Sequence, residues 1–71
     1  MTREDFLEII NKIVEPSTPL KEESLISDCD EIDSLSLLSI FLEAKKTGVQ
    51  CSITDFIKCV SIGDIISLVV A

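Results

Sequence analysis

The stretch DEIDSLSLLSIF, Asp30 to Phe41, passes within four residues from an acidic, polar chain to a leucine-rich one. An aspartate side chain accepts hydrogen bonds from the free N–H groups of a helix's first turn, so Asp33 reads as an N-cap and Ser34 as the first helical residue. The apolar segment then runs to Lys45 and Lys46, whose charges suit a helix C-terminus, and Gly48 stops it. At roughly 100° per residue the helix divides its apolar side chains into two neighbouring stripes. Leu37, Ile40, Phe41 and Ala44 form one, and Leu35, Leu38 and Leu42 form the other. Together they exceed the single face an ordinary surface helix buries. One stripe is expected in the core and the other at least partly exposed; the competing reading has both buried.

Three more helix starts follow the same chemistry, each with an acid at the third helical position to complete the cap. Thr2-Arg3-Glu4-Asp5 opens a segment with Phe6, Ile9, Ile10 and Ile13 at helical spacing, running to Val14 before Pro16 and Pro19. Ser52-Ile53-Thr54-Asp55 opens a short third helix through Lys58, and Ser61-Ile62-Gly63-Asp64 opens a terminal one with Ile65, Ile66, Leu68 and Val69. Residues 15–33 form a long aperiodic connection, which Leu20, Leu25, Ile26 and Ile32 are expected to pin. The best strand candidate, GVQCSI, has no partner. The expected fold is all-α: one domain over residues 1–71, a small four-helix bundle with a long loop between helices 1 and 2 and a short helix 3.

Composition supports a core of Leu, Ile and Val: the 71 residues are 46% hydrophobic and 4% aromatic. A chain this short is near the lower limit at which one core suffices without disulfides or metals. Thirteen acids against six bases give a net charge of −7, which argues against a phosphate backbone as partner and favours basic ones. Six acids, Glu22, Glu23, Asp28, Asp30, Glu31 and Asp33, fall in one segment before Ser34; the bland reading is a solvated acidic loop. Cys29, Cys51 and Cys59 have no C-x-x-C spacing, so neither a disulfide framework nor a zinc site is indicated, and they are expected to pack as small hydrophobes. The start lacks the order of a signal peptide, and the apolar run Ile65 to Ala71 is too short to span a bilayer. A cytoplasmic protein without membrane insertion is expected.

Ser34 admits several chemistries. A serine nucleophile needs a base, but the chain has no histidine, and Lys45 and Lys46 lie about three turns away on the same helix. Catalysis by this chain is therefore not expected. A calcium loop from Asp28 fails because its sixth position is Asp33 instead of glycine and its twelfth is Ser39 instead of glutamate. A serine modified in trans fits better, since N–H groups and the dipole at a helix N-terminus stabilise a phosphate.

At this point the sequence resembles the acyl carrier proteins, including peptidyl carrier domains. In that family the serine of an Asp-Ser-Leu motif at the start of helix 2 carries 4′-phosphopantetheine; here the motif is Asp33-Ser34-Leu35. The resemblance covers nearly the whole chain: N-terminal helix, long first loop, D-S-L helix, short third helix and final helix. It implies covalent attachment at Ser34, with Asp33 the neighbouring acid used when a phosphopantetheinyl transferase engages and Leu35 the first contact residue. The implied function is a swinging thiol arm that holds an acyl or aminoacyl group as a thioester and presents it to loading and transferring enzymes. Family comparison also places Leu38 and Leu42 on the partner-docking side, with Lys45 and Lys46 at its far end selecting by charge. A monomer is expected.

Two departures qualify the match. Glu31 stands where the family commonly has glycine three residues before the serine, so a different path into helix 2 is expected. Where fatty-acid carriers bear acids along helix 2, this chain has Ser36, Ser39, Lys45 and Lys46. A dedicated pathway is thus expected in place of bulk fatty-acid synthesis. The alternative is an unmodified interaction module that keeps the carrier fold and docks through helix 2.

Overall fold

In a computed structural model that describes residues 1–70, four α-helices follow in order: α1 Arg3–Val14, α2 Ser34–Lys46, α3 Ile53–Ile57 and α4 Ile62–Val69. Their starts are fixed by the caps expected from sequence. Thr2, Ser52 and Ser61 each accept the N–H three residues on, and Asp5, Asp55 and Asp64 each accept the cap's own N–H, closing three capping boxes. Helix α1 ends with the Glu15 N–H still donating to the Asn11 carbonyl, and the left-handed backbone of Glu15 (φ 50°, ψ 55°) then turns the chain out of the helix. Helix α3 stops one residue earlier than expected, with Lys58 as its C-cap. Among the described residues no strand forms, and the GVQCSI segment leads from α2 into α3.

Each helix contributes one buried face. Phe6, Ile10 and Val14, spaced by four on α1, meet Ile40 and Ala44 of α2, Phe56 of α3, and Ile62, Ile65 and Ile66 of α4. Phe41 packs edge-on against Phe56, with ring centroids 5.4 Å apart and an interplanar angle of 81°. Cys51 is buried in this core, and Cys29 and Cys59 lie half-buried at its margin, in keeping with packing roles for the thiols.

The long loop is ordered by hydrogen bonds together with Leu20, which is buried, and Ile26 and Ile32, which pack against the core as expected. Asn11 on α1 donates to the carbonyls of Leu7 and Leu20, while its Oδ1 accepts the Leu20 N–H at 2.7 Å; this fixes Leu20 in the core. Farther on, Gly63 N–H donates to Glu22 O (2.7 Å), Ile62 N–H to Ser24 O (2.9 Å) and Ile26 N–H to Val60 O (2.9 Å). The first two use N–H groups of the first turn of α4 that have no partner within that helix, so the loop and α4 satisfy each other's backbone. Arg3 adds a clamp from α1: it pairs with the Glu22 carboxylate and reaches Gly63 O and Ser67 Oγ. A 3₁₀ turn, Ile26–Asp28, then leads toward α2. Leu25, expected to pin this loop, is 42% exposed instead, because the pairing of Leu25 with Ser61 holds the backbone and points the side chain out.

Candidate functional site

The entry to α2 is built from two successive hydrogen-bonded features. Ile32 N–H donates to Cys29 O at 3.1 Å, closing a turn whose third residue is Glu31. Next, Asp33 takes an extended backbone and its Oδ1 accepts the Ser36 N–H at 2.8 Å, capping the helix. Glu31 does not need glycine's freedom here, since the only non-glycine residue with positive φ among those described is Glu15. Its side chain has work of its own: Oε1 accepts from the Ser17 N–H and hydroxyl, at 3.3 and 3.5 Å, and its carbonyl accepts from the Ser36 hydroxyl at 3.4 Å. Glu31 therefore ties the start of the long loop to the start of α2.

Ser34 is the first residue of α2 and is exposed. Because Asp33 performs the capping, the Ser34 hydroxyl is not required to hold the helix together. Hydrogen bonding from Ser36, chiefly from its N–H, holds the Asp33 carboxyl below the usual carboxylate range, so an anion persists beside Ser34 at neutral pH. The site thus offers an accessible hydroxyl, an adjacent carboxylate and the positive end of a helix dipole. No polar or charged side chain among the described residues is buried. Among the same residues, no group of three or more His, Cys, Asp or Glu is placed to hold a metal ion.

The two stripes of α2 separate as the helical spacing predicts. Ile40 and Ala44 are fully buried and Leu37 and Phe41 are half-buried, whereas Leu35 is 70%, Leu38 44% and Leu42 55% exposed. The reading in which both stripes are buried is therefore excluded. Lys45 and Lys46 are also exposed, but they are not equivalent: Lys46 pairs with Glu43 at 2.9 Å, while the Lys45 ammonium lies 5.8 Å from the centre of the Phe41 ring. Sequence reasoning missed two other exposed apolar residues, Ile57 at the end of α3 and Val60 in the link to α4. Ile57 was legible in principle, because it follows the core residue Phe56 and so points away from it. Val60 was not, since its outward orientation comes from the backbone pairing with Ile26.

No helix among the described residues is long and apolar enough to cross a membrane. No protein-family model and no curated protein matches the chain.

Proposed function

We propose that this protein is a carrier that bears a 4′-phosphopantetheine arm on Ser34 and presents an acyl or aminoacyl thioester to partner enzymes in a dedicated biosynthetic pathway. The observation that carries the reading is an exposed serine at the first position of α2, capped independently by Asp33, with exposed leucines continuing along the same helix. Ser34 would hold the arm through its hydroxyl oxygen, and the first-turn N–H groups would face the phosphate. When bound, the arm supplies the thiol that carries the cargo; the chain supplies position and recognition. Leu35, Leu38 and Leu42 form the docking face, with Lys45 and Lys46 at its end. The chain itself is not an enzyme in this reading; a phosphopantetheinyl transferase and its magnesium act in trans.

Intact-mass measurement after coexpression with a broad-specificity transferase tests the proposal. One phosphopantetheine is expected on the wild type and none on Ser34→Ala, with both proteins folded. A wild type that stays unmodified with several transferases overturns the reading. It would leave an unmodified module that docks through α2, which the exposed leucine face supports without any arm; in that case Leu38→Ala weakens partner binding although Ser34→Ala does not.

A further inference from the structure

The outer face of α2 carries a pattern that the carrier reading does not require. Leu35, Leu38, Leu42 and Lys45 follow at intervals of three, four and three residues, the 3.5-residue repeat of a coiled-coil seam. Beside that seam, Ser39, Leu42, Glu43 and Lys46, together with Lys45, line an open depression of ≈ 540 Å³. The first four stand at i, i+3, i+4 and i+7, the four corners of a hole that receives one side chain from a facing helix. The charges at the two ends of α2 are opposite in balance: Glu31 and Asp33 lie at its entry, while at its exit Lys45 and Lys46 outnumber Glu43, which pairs with Lys46.

We propose that a second copy of this chain occupies this face, with the two α2 helices antiparallel about a two-fold axis near Leu38 and Ser39. Residues whose numbers sum to about 77 then face each other. Leu35, the most exposed of the three leucines at 70%, enters the depression beside Leu42 of the other copy, and the symmetry repeats the contact. Glu31 comes opposite Lys46, each exchanging its contact within its own copy, with Ser17 and Glu43 respectively, for the other, and Asp33 comes opposite Ala44, between Glu43 and Lys45. A two-fold interface must be self-complementary, and this face is so in apolar shape and in charge order. Three leucines a side cover less than the roughly 1,000 Å² of a stable interface, and each copy carries a charge of −7. The dimer is accordingly weak, and the monomer prevails in dilute solution. Since the pair covers Leu35 and Leu42, self-association and docking of another protein on α2 exclude each other.

Analytical ultracentrifugation of the unmodified full chain, from about 10 µM to about 1 mM, tests this independently of any modification of Ser34. The mass is expected to rise toward that of a dimer, and Leu35→Asp to hold it at the monomer value. Glu31→Lys and Lys46→Glu place like charges opposite each other and are each expected to weaken association several-fold. Mixed together, the two variants restore both pairings and associate again. Circular dichroism checks that each variant remains helical; if Glu31→Lys disturbs the loop, Leu35→Asp decides the matter alone. A wild type that remains monomeric at the highest concentration overturns the proposal. So does association that survives Leu35→Asp, or a variant mixture that gains nothing over its components.

Discussion

Leu38 and Ile40 lie two residues apart on α2, about 200° around the helix, and replacing each with alanine measures how the helix divides its faces. Ile40 is fully buried in the core, so Ile40→Ala removes apolar contacts and leaves a cavity, a change that costs about 2–5 kcal/mol. Leu38 is 44% exposed. Full burial of a leucine contributes about 1.5–3 kcal/mol, so a little over half of that, about 1–1.5 kcal/mol, is at stake. Solvent fills the space left by Leu38, and alanine is the better helix former, so the net loss is expected near or below about 1 kcal/mol. A domain of 71 residues has roughly 4–11 kcal/mol of stability, so Ile40→Ala consumes a large share of it. At about 4–8 °C per kcal/mol, Ile40→Ala lowers Tm by about 10 °C or more and Leu38→Ala by only a few degrees. Urea and thermal unfolding followed by circular dichroism give both values. Equal losses for the two variants, or a Leu38→Ala cost above about 2 kcal/mol, would refute the division of α2 into a core stripe and an outward stripe.

Acid should unfold the domain through its caps and its clamp. Hydrogen bonds from the Val60 and Ser61 N–H groups hold Asp64 low, those from Ser52 hold Asp55 low, those from Ser36 hold Asp33 low, and the hydrogen bond from Arg3 holds Glu22 low. Unfolding releases these carboxyls to their ordinary values, so the unfolded chain binds protons first. The stability they contribute is full above pH about 4.5 and falls as pH drops through the depressed native values; Asp64→Asn should show a shallower loss in urea midpoint below about pH 4. Burial, then the carboxylates of Asp64 and Asp55, pushes the Cys59 thiol up, so it stays protonated at neutral pH and should alkylate with iodoacetamide more slowly than the same cysteine in a short peptide. A time course by mass spectrometry in native buffer reads this, and reaction at the peptide rate would count against it. A Cβ at Gly63 would stand 2.9 Å from the Glu22 carbonyl oxygen, so Gly63→Ala must push the long loop off α4 and should cost about 1–3 kcal/mol, with NMR shifts concentrated in residues 20–26. Wild-type stability and unmoved loop signals would mean that the contact between loop and helix is slack.

Local chemistry, carried in adjacent residues, determined where the helices lie. Thr2, Asp33, Ser52 and Ser61 cap the helices named for them because a cap needs only its own side chain and the N–H groups two or three residues on. The stripes of α2 were legible for a related reason: a fixed turn per residue sorts side chains into faces. Helical period alone cannot say which stripe faces inward. That was decided by where α1, α3 and α4 stand, which puts Ile40 and Ala44 in the core and leaves Leu35, Leu38 and Leu42 outside. The long loop was the least legible part, because its order comes from partners far along the chain. Asn11 fixes Leu20, while Arg3, the first turn of α4 and the Val60 carbonyl hold residues 22–26, contacts between positions up to about sixty residues apart that no local pattern encodes. Leu25 was read as an anchor from its hydrophobicity alone, but the backbone pairing beside Ser61 turned it to solvent. Glu31 read as a missing glycine, yet tertiary structure gave it a turn without positive φ and a partner in Ser17, so the path into α2 is held by a side chain where glycine would have supplied only freedom.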